Sequence, residues 1–226
     1  MDNNNKNQSK NQSKKNIILE NKEYKRLRDE AIFNVLLRYK SLMGEAHQFA
    51  MGEDYKEILK KEYNINFECF ASPINAYYDM YCSLFYDIDS KFGSFGNFNL
   101  IKYQKGFFIA NPPYENELLE IMVNKFEDSI NKSNEDLSIS FGLPNWSKYE
   151  PFEPLEKVKN HKDITFFRCM KDGEVYWYDR LTDKKIKIPS HCRSVFQNNK
   201  GKKNHNIDKY NKLIDKYWVI NKKSQR

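Results

Sequence analysis

The sequence predicts an α/β fold, a Rossmann-like sheet with flanking helices, from two patterns. Short apolar runs at residues 65–71, 107–110 and 137–143 alternate with segments whose apolar residues recur at helical spacing. A proline follows closely after each run, and proline cannot donate a hydrogen bond to a neighbouring strand. Strands that alternate with helices are typical of an open sheet, which binds ligands at the carboxyl ends of its strands.

The predicted elements follow one another in a simple order. Helices are predicted at residues 22–43, 54–63, 73–85, 118–130 and 205–220. Strands are predicted at residues 65–71, 107–110, 137–143, 164–170, 174–179 and 193–197. Loops are predicted at residues 87–96 and at the polar stretch 147–162. The residues of unusual type fall at the ends of three predicted strands, at residues 68–75, 111–114 and 144–146. This indicates that the three strand ends converge on one site.

The chain has 226 residues, enough for one large domain with tails. We assign residues 1–20, rich in Asn and Lys, to a disordered tail. Residues 21–63 form a helical lead-in, residues 64–199 the core, and residues 200–226 a basic C-terminal helix or tail. This last segment holds nine basic and two acidic residues, so it carries the whole net charge of +7. It suits nucleic-acid phosphates, although a solvated Lys-rich end is an equal alternative.

Four cysteines, Cys69, Cys82, Cys169 and Cys192, form no Cys-x-x-Cys pair. This pattern predicts reduced thiols in an intracellular protein and no metal site. The longest apolar runs fall short of the roughly 18–20 residues that cross a bilayer, and the N-terminus has no apolar signal segment. We therefore expect neither membrane contact nor secretion.

The segment Asn111-Pro112-Pro113-Tyr114 directly follows an apolar run and precedes an amphipathic helix. Two consecutive prolines end the strand and fix two φ angles, which holds Asn111 and Tyr114 in set directions. The Asn111 side-chain oxygen and the Pro112 carbonyl can accept hydrogen bonds from an exocyclic –NH2 group. Tyr114 can stack on the aromatic ring that carries this group. Positioning of this kind suits methyl transfer to an amine. A chance turn, with Tyr114 packed on the sheet, is the alternative.

A methyl donor with a nucleoside portion needs a ribose ligand, and Asp87 and Asp89 are candidates for that role. Either carboxylate could instead be a solvated turn residue. Trp146, two residues after Pro144, could flank an unpaired base or belong to the core.

Several segments together closely resemble the catalytic core of the phosphorylated-CTD-interacting factor family, the cap-specific adenosine N6-methyltransferases. They are Phe67-Glu68-Cys69-Phe70-Ala71-Ser72-Pro73-Ile74-Asn75, Tyr81-Cys82-Ser83, Asp87-Ile88-Asp89, Phe92-Gly93-Ser94 and Ala110-Asn111-Pro112-Pro113-Tyr114. The resemblance covers about residues 36–198. It implies a class I Rossmann-like methyltransferase that uses S-adenosyl-L-methionine and methylates N6 of the 2′-O-methyladenosine beside a 7-methylguanosine mRNA cap. The family tetrapeptide usually ends in Phe. Tyr114 departs from this pattern but keeps an aromatic face that can stack on a base.

The resemblance implies three groups of site residues. The catalytic residues are Asn111, Pro112, Pro113 and Tyr114. The donor-binding residues are Glu68, Cys69, Phe70, Ala71, Asn75, Asp87 and Asp89. The substrate-binding residues are Asn116 and Trp146.

The partner implied by the resemblance is RNA, most simply capped mRNA, with a nuclear location, or a cytoplasmic one for a viral member. Family members typically carry a WW domain that binds phosphorylated RNA polymerase II tails, and a helical domain that helps to hold the cap. This sequence has no WW-like pair of tryptophans and only about 60 residues before the core, so it does not support polymerase-tail binding. Two alternatives remain open: adenine-N6 methylation of internal RNA or of DNA, and a non-catalytic RNA-binding relative.

Overall fold

The computed structural model describes residues 2–42, 48–146 and 151–220, with side chains from residue 21 onward. The chain forms two compact units, residues 1–43 and 44–226. The first unit is one helix, α1 (Asp2–Lys40). Its first half is the stretch that composition predicts to be disordered, and the backbone there is helical. The boundary between the units falls inside the predicted lead-in, so α2 belongs to the second unit.

The second unit alternates strands and helices as predicted. In chain order its elements are β1 (Phe49–Ala50), α2 (Glu53–Tyr63), β2 (Phe67–Glu68), β3 (Met80–Tyr81), α3 (Tyr86–Asp89), β4 (Gly106–Ala110), α4 (Asn116–Lys132), β5 (Leu137–Pro144), α5 (Glu153–Lys159), β6 (Ile164–Met170), β7 (Tyr176–Asp179), β8 (Lys184–Lys187), β9 (His191–Gln197), α6 (Asn199–Asn204) and α7 (Ile207–Tyr217).

A six-stranded sheet in the order β3-β2-β4-β5-β9-β6 forms the centre of this unit. The first four strands are parallel, and β9 runs antiparallel to both of its neighbours. The chain moves outward from β2 to β3 and then returns to β4 on the other side of β2. This reversal makes the carboxyl ends of β2 and β4 the expected ligand crevice of a doubly wound sheet. The predicted Rossmann-like α/β class is confirmed.

Helices cover both faces of the sheet. On one face, α4 and α5 bury an apolar stripe against alternate residues of β5. On the other face, α2 and α7 pack against β4 and β9, with Tyr55, Tyr210 and Trp218 completely buried. The stripe of α4 recurs at helical spacing because one turn takes 3.6 residues: Leu119, Met122, Val123, Phe126 and Ile130.

Three predicted elements differ from the structure. The predicted helix at residues 73–85 was wrong, because Asn75 Oδ1 and Ser72 Oγ accept the local backbone N–H groups in a turn and Met80–Tyr81 pairs with β2. The predicted loop at 87–96 was wrong at its start, where α3 ends at Asp89. Within the predicted loop at 147–162, of which residues 147–150 lie outside the described part, α5 buries Leu155 and Val158.

The prediction that all four cysteines are reduced was also wrong. Cys169 of β6 and Cys192 of β9 face each other across the antiparallel pair and form a disulfide, whereas Cys69 and Cys82 are free and buried. Strand register, which cysteine spacing along the chain does not reveal, brings this pair together. Among the residues described, no helix is both long and apolar enough to span a bilayer.

Candidate active site

The Asn-Pro-Pro-Tyr turn lies at the carboxyl end of β4, on one side of the crevice. Pro112 is buried and Pro113 is exposed, and the Pro113 carbonyl accepts a hydrogen bond from Glu115 N at 3.0 Å. Within the described part of the chain, no group donates to the Pro112 carbonyl. The turn thus leaves one backbone acceptor available beside Asn111 while α4 begins at Asn116.

The Asn111 side chain is held by a buried arginine from β9. Arg193 Nη1 donates to Asn111 Oδ1 at 2.6 Å and lies 3.3 Å from the Ala110 carbonyl oxygen. Arg193 Nε donates to Ser140 Oγ at 2.8 Å. These bonds fix the carboxamide, because its oxygen can rotate only by breaking a charge-assisted bond. A carboxamide oxygen has two lone pairs, so Asn111 can still accept one further hydrogen bond.

The Arg193 guanidinium is fully buried. In the described part of the chain no carboxylate lies within 4 Å of it, and the Trp218 ring lies 5.8 Å from its Cζ. Carbonyl, carboxamide and hydroxyl oxygens accept from Nη1 and Nε, whereas the buried Nη2 has no hydrogen-bond partner among the described residues. Burying a charge without a counter-ion is expensive, which indicates that its position serves the site rather than stability.

Tyr114 is anchored by a second residue of β9. Its hydroxyl shares a hydrogen bond of 2.8 Å with His191 Nδ1, while the residue as a whole is 36% exposed. The Tyr114 and Trp146 rings meet edge to face, with centroids 6.2 Å apart. The ring is thus fixed at its buried tip and offers an open face.

Burial sets the protonation states of this pair. Burial and, second, the Arg193 charge lower the pKa of His191 to about 3, so the imidazole is neutral at physiological pH. Burial also raises the pKa of Tyr114. The pair therefore acts as a neutral anchor and not as a proton shuttle.

Gly142 of β5 makes room for both β9 side chains. A Cβ built there would lie 2.8 Å from His191 Cε1 and 3.3 Å from Arg193 Nη1. The same face of β5 carries Ser138 and Ser140, opposite the bulky residues of β9. The small residues on this face of β5 thus leave room for the large side chains of Arg193 and His191 from β9.

Both predicted substrate residues, Asn116 and Trp146, line one pocket of about 860 Å³ beside Tyr114. Its other lining residues are Glu115, Glu117, Leu118 and Ile121. Two aromatic rings and two carboxylates therefore surround the space next to the turn.

At the end of β2, the predicted donor residues are mostly engaged with the protein itself. Glu68 is buried and forms a 2.7 Å ion pair with Lys56 of α2. Cys69 lies in the core, and Asn75 Oδ1 accepts from Ser72 N at 2.7 Å. The contacts of Glu68 Oε1 and Asn75 Oδ1 and the burial of Cys69 stabilise the strand end.

The remaining donor candidates have mixed environments. Phe70 and Ala71 are half-buried, and Phe70 packs on Phe98 with ring centroids 4.4 Å apart. Asp87 is exposed, whereas Asp89 is fully buried and accepts a hydrogen bond from Phe85 N at 3.3 Å.

A neighbouring amide offers a donor that sequence analysis missed. Gln48 is buried and its Oε1 accepts from Ser72 Oγ at 2.6 Å, yet its Nε2 has no acceptor among the residues described. A buried unpaired N–H group beside a strand end suits a carboxylate ligand. The half-buried ring of Phe70, the amide of Gln48 and the carboxylate of Asp87 thus fit the adenine, carboxylate and ribose of S-adenosylmethionine in chemical type.

Arg193, His191 and Gly142 are site residues that the sequence patterns do not predict. The apolar pattern predicts Arg193 only as the first residue of a strand. One sequence signal could have identified Arg193. It is a charged residue in a strand of the covered sheet, and a charge at such a position requires a buried partner. In the described ranges, no group of three or more His, Cys, Asp or Glu side chains could hold a metal ion.

Comparison with known proteins adds a family assignment. A family model described as Phosphorylated CTD interacting factor 1 WW domain matches residues 12–173, most of the chain. Two proteins named mRNA (2'-O-methyladenosine-N(6)-)-methyltransferase, from Mus musculus and Homo sapiens, are each 43% identical over 90 residues. The aligned segment is 40% of this chain but 13% of each relative.

Proposed function

Because this chain belongs to the phosphorylated CTD interacting factor 1 family, we propose that it is an S-adenosylmethionine-dependent RNA adenine-N6 methyltransferase. We propose the 2′-O-methyladenosine beside the mRNA cap as its target. One observation carries the proposal: the Asn111 carboxamide is fixed at the carboxyl end of β4, at the switch point of the sheet and beside an aromatic pocket.

The side chains at the turn bind and orient the amine. The second lone pair of Asn111 Oδ1 and the Pro112 carbonyl accept its two hydrogens, which frees the nitrogen lone pair from the adenine ring. Tyr114 stacks on the base, a contact worth roughly 1–3 kcal/mol. Arg193 acts as a positioning residue, since it holds the acceptor in place before the substrate arrives. Catalysis then rests on geometry and electrostatics and not on a strong base.

S-adenosylmethionine supplies an electrophilic methyl group when bound. Gln48, Phe70 and Asp87 would hold it at the ends of β2 and β3, and no metal is needed for the transfer. Of the donor residues first predicted, Phe70, Ala71 and Asp87 are the ones that this proposal keeps.

The pocket beside the turn supports a cap-adjacent target. A 7-methylguanine ring carries positive charge, and a cationic ring is attracted both to aromatic faces and to carboxylates. Trp146 supplies an aromatic ring beside Tyr114, while Glu115 and Glu117 supply the carboxylates. An uncapped RNA would leave this charge complementarity unused.

The test is methyl transfer to capped RNA that begins with 2′-O-methyladenosine, followed by nucleoside analysis. We expect N6,2′-O-dimethyladenosine from the wild-type chain and none from Asn111→Ala, with the fold checked by circular dichroism. Uncapped RNA and single-stranded DNA are the controls. Equal methylation of capped and uncapped RNA would reject the cap requirement, and donor binding without any product would indicate a non-catalytic relative.

A further inference from the structure

The loop between β6 and β9 forms a hairpin at the same edge of the sheet as the candidate site. Strand β6 ends at Met170 and β9 begins at His191, and these two residues pair in the sheet. Since His191 bonds Tyr114, both ends of residues 171–190 lie next to the site. Asn145 also bonds Ser190 through its backbone N–H and its side-chain amide, at 3.1 Å and 2.9 Å. We call residues 171–190 the β7–β8 hairpin.

The outer strand of this hairpin, β8, reads Lys-Lys-Ile-Lys and lies at the edge of the small sheet β1-β7-β8. Lys184, Lys185 and Lys187 are exposed. In the described part of the chain, no carboxylate lies within ion-pair distance of any of them. Lys185 Nζ instead lies 4.5 Å above the Tyr176 ring, which holds it at the hairpin surface.

The acidic residues of the hairpin are used internally. Asp172 accepts from Ser190 N at 2.7 Å, and Glu174 accepts from Lys171 N at 2.7 Å. Asp179 accepts from Leu181 N and from Thr182 Oγ1, and Asp183 lies 3.8 Å from Arg180. Residues 171–190 hold five basic and four acidic residues, so the net charge of the hairpin is +1 and its local excess of positive charge lies on the exposed lysines of β8.

The first part of the predicted basic segment, helix α6, lies at the opposite edge of the sheet. Strand β9 runs antiparallel to β5, so its end at Gln197 pairs with Ser138 at the beginning of β5. Helix α6 follows there, and Asn198 N donates to the Leu137 carbonyl at 3.2 Å. The lysines of α6 are thus at the amino edge of the sheet, whereas those of β8 are at the carboxyl edge with the site.

We propose that Lys184, Lys185 and Lys187 of the β7–β8 hairpin bind backbone phosphates of the RNA substrate, on nucleotides that follow the reacting adenosine. This inference rests on the proposed function, which identifies the bound polyanion as the RNA substrate. Lysine neutralises phosphates without reading the bases. The hairpin therefore adds affinity for long RNA without adding sequence preference.

The test compares two triple variants with matched charge. The first is Lys184→Gln, Lys185→Gln and Lys187→Gln. The control is Lys200→Gln, Lys202→Gln and Lys203→Gln in α6, which removes the same charge from exposed lysines at the other edge. Binding to a fluorescent capped RNA of about 20 nucleotides is measured by anisotropy over a range of KCl concentrations.

We expect the hairpin variant to weaken binding on the order of tenfold at about 0.1 M salt. Its plot of log affinity against log salt should be shallower by roughly 2, because each single-strand phosphate contact contributes about 0.7. The α6 variant should bind as the wild type does. Unchanged RNA binding by the hairpin variant would overturn the proposal. That result is the one expected if the lysines of β8 bind a protein and not RNA. Equal weakening in both variants would also overturn it.

Methylation kinetics separate this inference from the proposed function. The hairpin variant should methylate a capped dinucleotide normally, while its KM for long RNA rises about tenfold in line with the lost affinity. A wild-type chain that methylates neither RNA would refute the proposed function, while the anisotropy experiment would still decide whether the hairpin binds RNA. A raised KM for the dinucleotide as well would contradict the assignment to downstream phosphates.

Discussion

The carboxyl ends of β2 and β4 are neighbours in the sheet, yet they are held in opposite ways. The end of β2 is fixed by residues close to it on the same side of the molecule, through the Lys56–Glu68 ion pair and the Ser72–Asn75 turn. The end of β4 is held by Arg193 and His191, which reach it from β9. The β2 end holds its charged pair and its turn through contacts of its own and leaves Gln48 Nε2 unpaired among the described residues, whereas the β4 end keeps acceptors and a ring available.

This difference separates two roles that sequence analysis treated as one. Glu68 and Asn75 belong to a motif that resembles a family's catalytic core, and Glu68 Oε1 and Asn75 Oδ1 accept hydrogen bonds from the protein itself. Asn111 and Tyr114 are anchored on one side and open on the other. Changes at the β2 end should therefore act first on stability, and changes at the β4 end on methyl transfer.

The largest effect is expected from Lys56→Met, which leaves Glu68 as a buried charge without a partner. Loss of one member of a buried pair costs roughly 3–5 kcal/mol in unfolding free energy. The measurement is urea denaturation. The double variant Lys56→Met, Glu68→Gln should recover much of this loss, and equal stability of the single and double variants would show that the pair does not control the β2 end.

Arg193→Met should act mainly on catalysis. The Asn111 carboxamide would lose its anchor, and we expect kcat to fall on the order of a hundredfold, a cost typical of losing one positioned catalytic bond. KM for S-adenosylmethionine should not change, because Arg193 lies on the β4 side. Stability should fall little, since the variant removes a buried charge without a carboxylate partner. Arg193→Lys should restore part of kcat. A lower free energy of unfolding without a change in kcat would assign Arg193 to the core alone.

The buried His191 should make stability depend on pH. Its folded pKa of about 3 lies below the ordinary value of 6.5, so below pH 6.5 the unfolded chain binds a proton that the folded chain does not. Stability should therefore fall as the pH drops from about 6.5 toward 3, by at most about 1.4 kcal/mol per pH unit. Comparing urea denaturation of wild type and His191→Gln at several pH values isolates this contribution. Parallel pH curves would contradict it.

The smallest effect is expected from Tyr114→Phe, which keeps the stacking ring and removes the bond to His191. One neutral hydrogen bond contributes about 0.5–1.5 kcal/mol, so methyl transfer should fall between about twofold and tenfold. The loss should appear as a higher KM for the RNA, because the ring loses its fixed orientation. Tyr114→Ala is the matched control, and an equal effect of both variants would show that the hydroxyl matters more than the ring.

Local signals explain which elements could be predicted. The α4 stripe and the apolar runs that became β4 and β5 are encoded by spacing within one element, and the double proline ends β4 whatever surrounds it. The helix predicted at residues 73–85 had similar apolar spacing, but strand pairing by Met80 and Tyr81 overrode it. Propensity is a weak guide wherever a tertiary contact competes with it.

Local sequence specifies the elements β4, α4 and β5 and the Asn111-Pro112-Pro113-Tyr114 turn, because proline geometry and periodicity act over a few residues. The contacts that hold this turn come instead from a distant strand. Arg193 and His191 lie 82 and 77 positions beyond the residues they bind, and strand order β5-β9 brings them there. The same register carries the lysines of β8 to the edge with the site and those of α6 to the opposite edge, since a strand's direction fixes which of its ends reaches the ligand crevice.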